Sequence, residues 1–437
     1  VAQTTDTAEV VLTDAVTPDV AAAATGTDET VVSPELGGAT PAGDVSVPPA
    51  TTSETASPLA GSSANLSSAN FLAVLPAAFW KVINALGLLF FRGPFSSDLF
   101  GVQTYAPISE DPRFVDQPQV VVPATIDLDG KLPEPAWWSW DMDYKKYNPK
   151  YISAYSNAMG RDIPLIYIPA PDQSTPRPVI YALSGRDGGE DGITLATNTE
   201  LAKMAHDLNL NVVSPAEGAN SNYVDWYDDS AVARGKQQWE TFMTKELPIA
   251  LEDAIGASHQ RSLLGMSASG GPVIGYAEHN PGLYDAVGSI SGCAEVDGDF
   301  GRYAQEQTLS GLGSAEEAYG PQHGDYSIYS DALINVPLLA GQQNIFVFNA
   351  GGLLGPTDFM DQYRPTTEGD WKARIKDGAF IEWGTNYFTH RLQARMLMEG
   401  IPADFQYASS GAHAWGVFNE GTVAFMNMIG ERVYPKQ

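Results

Sequence analysis

Residues 261–281 read RSLLGMSASGGPVIGYAEHNP: an apolar run, a tight turn of small residues, then a helical pattern. A strand that feeds a helix through such a turn is the local plan of a nucleophile elbow. There a serine sits on a strained bend that only small neighbours permit, so that its hydroxyl stands clear of the sheet. The turn is Gly265-Met266-Ser267-Ala268-Ser269, with serine rather than glycine in the fifth place, so the strict G-x-S-x-G spacing is not met. Ser267 is the expected nucleophile. Its competitor Ser269 needs a strand two residues longer and has Ser267 as its small predecessor. Such turns also arise for packing alone, so the reading needs partners elsewhere in the chain.

Working outward, strand-like runs alternate with helical ones. The former are PLIYIPA, PVIYALSG, NVVSPA, AVGSIS, NIFVFNAGG and DFQYASS; the latter include TELAKMAHDL, QWETFMTKELPIALEDAIG and FTHRLQARMLMEG. Strands separated by helices mean βαβ units and a mostly parallel sheet covered on both faces. The expected fold is therefore α/β, of the α/β-hydrolase kind, over residues 151–437. Ahead of it, residues 96–150 are rich in Pro and Trp (LPEPAWWSWDMDY) and read as an irregular lead-in strapped onto the core. Residues 1–70 hold no Lys, Arg or aromatic residue and read as a disordered, acidic Ala/Thr/Pro-rich tail. Over 71–95 an apolar amphipathic helix is expected, centred on FLAVLPAAFWKVINALGLLFF (71–91). Phe71, Leu75, Phe79, Val82, Leu86 and Phe90 recur there at helical spacing, opposite Lys81 and Asn84. The two polar residues argue against a membrane span. A helix that covers apolar protein surface or lies in a lipid interface fits better.

The 437 residues carry 53 acidic against 24 basic side chains, a formal charge of −29. Neutralising phosphates needs clustered Lys and Arg, so nucleic-acid partners are excluded, and anionic lipid headgroups would repel the chain. Cys293 is the single cysteine, which rules out an internal disulfide and leans towards an exported protein. The initial Val1 suggests that a signal peptide has already been removed.

A serine nucleophile needs a base, and α/β-hydrolases take the order serine, acid, histidine. His206 and His259 precede the serine, His279 lies on the helix leaving the elbow, His323 sits in an earlier loop and His390 in a helical pattern. His413 follows the last strand-like run, in the loop SSGAHAWGVF, where the base belongs. Three acids are open on spacing alone: Asp358 and Asp361 after NIFVFNAGG, and Glu382 in GAFIEWGTNYF. An oxyanion hole needs two backbone N–H groups. One comes from Ala268, after the nucleophile; the other comes from the glycine-bearing loop of PVIYALSGRDGGEDG. Nothing in this constellation calls for a metal or cofactor, and no H-x-x-H or cysteine cluster offers one.

Taken in order, several segments resemble the secreted mycolyltransferases, the antigen 85 proteins of mycobacteria and their corynebacterial relatives. These are Met159-Gly160-Arg161-Asp162-Ile163, Leu183-Ser184-Gly185-Arg186, Asp225-Trp226-Tyr227, Trp239-Glu240-Thr241-Phe242 with Glu246-Leu247-Pro248, and the elbow. Ser289-Ile290-Ser291-Gly292, Tyr319-Gly320-Pro321 and His413-Ala414-Trp415 continue the series, so the likeness spans roughly residues 150–430. It implies a serine acyltransferase of the α/β-hydrolase fold, secreted or held in the cell envelope. Such an enzyme moves mycolic acyl groups from trehalose monomycolate to a second trehalose monomycolate or to arabinogalactan. By the same resemblance Ser267 is the nucleophile, His413 the base, and Glu382, in Phe380-Ile381-Glu382, the acid. Arg186 and Ala268 supply the oxyanion amides, and Trp415 lines the sugar pocket. The mycobacterial L-D-G-L-R run, whose Asp and Arg hold trehalose, is replaced here by Ser184 and Asp187 at those places. The run Gly188 to Asp191 is closer to the corynebacterial branch. Residues 71–91 are expected to meet the mycolate layer or to mediate self-association. Two rivals stand beside this reading: a carboxylesterase using the same triad with water as acceptor, and an inactive envelope-binding protein.

Overall fold

Why the central strands form is visible in their alternation. In β4 (below), Val179, Tyr181 and Leu183 enter the apolar core on one face of the sheet while Ile180 and Ala182 enter the core on the other. Period-two side chains that are apolar at every position need cover on both faces, and the helices provide it. The computed structural model describes residues 105–116, 119–139, 142–230, 232, 234–359 and 377–435. The expectations for the tail 1–70, for the helix 71–95 and for Asp361 lie outside the described residues.

Among the described residues nine strands run in chain order: β1 (Thr125–Asp127), β2 (Lys150–Ser156), β3 (Arg161–Ile168), β4 (Val179–Leu183), β5 (Asn211–Pro215), β6 (Arg261–Met266), β7 (Ala286–Ile290), β8 (Ile345–Asn349) and β9 (Ala403–Tyr407). They form one sheet in the order β1-β2-β3-β5-β4-β6-β7-β8-β9. From β5 to β9 the neighbours are parallel; β1, β2 and β3 join antiparallel at one edge. The longer helices among the described residues are α1 (Leu201–Leu208), α2 (Leu247–Ile255), α3 (Pro272–His279), α4 (Asp299–Leu309), α5 (Ala379–Glu399) and α6 (Trp415–Arg432). α2, α3 and α5 pack Leu251, Val273 and Leu392 into one core; α1 and α6 pack Leu201, Ala205, Phe425 and Ile429 into the other. The mostly parallel sheet between two helical layers is as the sequence leads one to expect.

Local differences have local causes. The lead-in is not wholly irregular: β1 pairs with β2, Ile126 opposite Ala154. Trp137 is buried, with its indole N–H on the Glu190 carbonyl at 2.8 Å. The run QWETFMTKELPIALEDAIG is helical, but Phe242–Glu246 widens into a π-helical stretch just before Pro248, which has no N–H to close an ordinary turn. α5 begins nine residues before the run FTHRLQARMLMEG, and this brings Glu382 into its first turn.

A buried acidic region flanks α4. Burial pushes the Asp225 carboxyl up to about 6 against the pull of Arg113. It pushes Asp331 up to about 6 against backbone N–H donors from Val296 and Asp297, and Glu295 up to about 7 against Arg391. Carboxyls raised in the fold contribute stability that is full below the unfolded carboxylate range and lost as pH rises through about 6 to 7. His390 acts oppositely: burial holds it down at about 4, so its contribution is lost as pH falls below about 6.5. Three carboxyls outweigh one imidazole. Thermal unfolding is expected to shift down by a few degrees between about pH 5.5 and pH 8; an upward shift in calorimetry would contradict this account.

Candidate active site

The parallel strands end in register, and this assembles the site. Leu183 pairs with Gly265, Met266 with Ile290, Ile290 with Phe348 and Asn349 with Tyr407. The residues just beyond these ends therefore share one rim, where ligands of open α/β sheets bind. They are Ser184 to Arg186 after β4, Ser267 after β6, Ser291 after β7, Ala350 after β8 and His413 after β9.

The elbow itself is strained and closely packed. Ser267 has a φ of 54°, in the left-handed region that non-glycine residues seldom adopt. A Cβ at Gly265 would come within 2.7 Å of the Ser269 carbonyl oxygen and of Val273, so no larger residue fits under the turn. The serine in the fifth place now has an explanation. Ser269 is fully buried, accepts the Met266 N–H at 3.0 Å and lies 3.2 Å from the Leu183 carbonyl. Its hydroxyl ties the elbow to β4, which a glycine could not do, and faces away from solvent.

Ser267 Oγ lies 2.7 Å from His413 Nε2, and His413 Nδ1 lies 2.8 Å from Glu382 Oε2. An acceptor carboxylate beside Nδ1 keeps the proton there, leaving Nε2 to accept from the serine hydroxyl. Glu382 is completely buried; its other oxygen accepts from Ser291 Oγ and from the Ala350 N–H, both at 2.8 Å. The imidazole is held from behind by Phe418, edge-on at 4.9 Å between centroids. The backbone N–H of His413 donates to the Gly378 carbonyl at 2.9 Å.

Asp358 is close but does different work. One of its oxygens accepts from the Ala412 N–H at 3.0 Å and the other from the Gly355 N–H at 2.7 Å, which ties the β8 turn to the loop carrying His413. The other histidines are engaged elsewhere. His279 meets Glu240 at 2.8 Å and stacks on Tyr329; His323 meets Asp297 at 2.8 Å; His390 stacks on Tyr407; His259 meets Glu252 at 3.0 Å. His206 is exposed beside Tyr147.

The loop after β4 crosses directly against the elbow: a Cβ at Gly185 would sit 3.3 Å from Ser267 Cβ. Arg186 turns its side chain away, donating to the Ser310 carbonyl at 2.9 Å, and its carbonyl accepts from the Asn220 N–H at 2.8 Å. The Arg186 N–H has no hydrogen-bond partner among the described residues. The guanidinium is thus engaged at Ser310. A cavity of about 630 Å³ opens here. Ser267, Ala268, His413, Ser184, Arg186 and Asp187 line it, together with the aromatic Phe300, Phe380, Phe388 and Trp415. Ser184 is buried at its floor and Asp187 is exposed at its rim. Sequence reasoning missed Ser291 and Ala350, which hold the glutamate. Their one local signal is that each directly follows a strand of the elbow's own sheet.

The fold and this rim define an α/β-hydrolase. Comparison with known proteins agrees: the family model described as Esterase matches residues 156–341. The chain is 26% identical over 275 residues to the diacylglycerol acyltransferase/mycolyltransferase Ag85B of Mycolicibacterium smegmatis, covering 61% of this chain and 79% of that one. To the protein of the same description, Ag85A, of Mycobacterium tuberculosis it is 27% identical over 277 residues, covering 61% and 76%. Among solved structures, MPT51 of Mycobacterium tuberculosis superposes with a TM-score of 0.52 at 20% identity, over 64% of this chain and 98% of that one; this likeness is one of fold. The resemblance to the antigen 85 mycolyltransferases read from the motifs therefore holds. At the coarser level, the chain is an enzyme of the esterase and acyltransferase class.

Proposed function

We propose that the protein is a serine acyltransferase that moves mycolic acyl groups from trehalose monomycolate to a sugar acceptor of the cell envelope. The observation that carries the reading is the unbroken hydrogen-bonded line from Ser267 Oγ through His413 to the buried Glu382, at the edge of a cavity of about 630 Å³. The hydroxyl of Ser267 attacks the ester carbonyl as His413 Nε2 takes its proton, and Glu382 orients the imidazole and steadies its positive charge. The backbone N–H groups of Arg186 and Ala268 receive the oxyanion. His413 returns the proton to the departing trehalose oxygen, leaving mycolyl-Ser267. An acceptor hydroxyl, deprotonated by His413, then attacks this ester; the acyl group leaves on the acceptor and Ser267 recovers its proton. Trp415, Ser184 and Asp187 border the place where the sugars sit. The acceptor is a second trehalose monomycolate or cell-wall arabinogalactan, and the enzyme acts outside the cell membrane.

Product analysis with trehalose monomycolate as the only substrate tests this. Transfer releases one free trehalose for each diester formed. Free mycolic acid in place of the diester would mean that water is the acceptor, making the protein a carboxylesterase on the same triad. Neither product, and no acylation of arabinogalactan fragments added as a second acceptor, would leave an inactive binding protein.

A further inference from the structure

The first turns of α5 face two ways. Glu382 points inward and is fully buried, while Phe380, Trp383 and Tyr387 point outward, 61%, 51% and 37% exposed. The rings of Phe380 and Trp383 stack, 6.0 Å between centroids. The turn after β8 runs alongside: a Cβ at Gly352 would lie 3.2 Å from Trp383 Cβ, and the next residues, Leu353 and Leu354, are exposed. On the far side Phe300 of α4 meets Tyr387, 5.5 Å between centroids, and Tyr303 of the same helix is exposed. Phe300, Tyr303 and Phe380 also line the cavity. Phe380 thus belongs both to the exposed patch and to the lining of the cavity beside Ser267. Exposed patches of this kind on a folded chain mark interaction surfaces.

We propose that this surface, formed by Leu353, Leu354, Phe380, Trp383 and Tyr387, docks the enzyme onto the face of an uncharged lipid layer. The layer is one that presents acyl chains to the cavity. Three observations choose this occupant. The patch carries an indole and a phenol, side chains that settle at the boundary between water and hydrocarbon. None of its five residues is basic, the guanidinium beside Tyr387, that of Arg391, is paired with Glu295 and mostly buried, and the chain as a whole carries −29, so anionic headgroups are disfavoured. The patch also shares Phe380 with the cavity wall, so it lies where a long acyl chain drawn from the layer enters. The inference rests on the acyl-ester reading of the site, but its test can fail separately.

Sedimentation of the full chain with phosphatidylcholine vesicles provides that test, comparing the native protein with Leu353→Ser/Trp383→Ser and with Leu353→Ser alone. Neither residue lines the cavity, so turnover of a water-soluble short-chain ester reports that each variant is folded and active. The double substitution is expected to weaken vesicle binding at least about tenfold and the single one about threefold, with little dependence on salt. Soluble-ester turnover stays as it was. A native chain that does not sediment with vesicles, or a double variant that binds as well as the native one, overturns the proposal. So does a double variant whose only change, by light scattering, is loss of self-association, since that assigns the surface to a second copy. Vesicle binding by a protein that never forms an acyl-serine would instead sink the acyl-transfer reading and leave the docking surface standing.

Discussion

Ser267→Ala is expected to lower kcat by about 10⁴–10⁶ while leaving the fold intact, because nothing but a nucleophilic hydroxyl is removed. The fold should survive for a stated reason: Ser267 Oγ has His413 Nε2 as its partner, whereas the hydroxyl that ties down the elbow belongs to Ser269. The two serines are therefore expected to separate by phenotype. Ser269→Ala strips the Met266 N–H of its partner and should lower thermal stability, by roughly 1–3 kcal/mol for a buried donor left unpaired, with a smaller loss of rate. Kinetics and thermal unfolding on the same two variants check this. Full activity in Ser267→Ala together with its loss in Ser269→Ala would show that the elbow is read in the wrong register.

The second large effect is expected at Glu382. Glu382→Gln keeps the volume but replaces the acceptor at His413 Nδ1 with a group that can turn its NH2 towards the ring, which favours the wrong tautomer; kcat should fall by on the order of 10⁴. Asp358→Asn should behave differently. It mispairs one of the two backbone N–H groups that Asp358 accepts, loosening the histidine loop, and the rate should drop by about tenfold, equivalent to ~1.4 kcal/mol. The comparison is made by kcat with a soluble ester. A loss in Asp358→Asn as large as in Glu382→Gln would move the acid role away from the glutamate.

The elbow and His413 were legible because their chemistry constrains nearby sequence. A strained turn needs small residues around it, and the base needs a loop after the last strand. The sheet was legible for a related reason: strands covered on both faces, such as Val179–Leu183 and, up to Phe348, Ile345–Asn349, are runs of apolar residues. The acid was not legible from spacing. Glu382 lies in the first turn of a helix whose exposed face is also apolar, so periodicity does not distinguish its inward side from Phe380 and Trp383 on the outward side. Asp358 deepens the ambiguity, since it does reach the histidine's loop, bound to the N–H of Ala412, the residue before His413, rather than to the ring. Among Asp358, Asp361 and Glu382 the family resemblance points to Glu382, and it is Glu382 that lies beside His413 Nδ1. The short β1 escaped notice because three residues, none of them buried, carry no signal above that of a loop.

The account stands on Ser267 being the residue that is acylated, and peptide mapping after reaction with a serine-directed fluorophosphonate measures that directly. One adduct per chain is expected, on Ser267 in the peptide containing Gly265-Met266-Ser267-Ala268-Ser269, retained in Ser269→Ala and absent from Ser267→Ala. An adduct on Ser269 or on a serine outside the elbow, or no adduct with a folded protein, would contradict it.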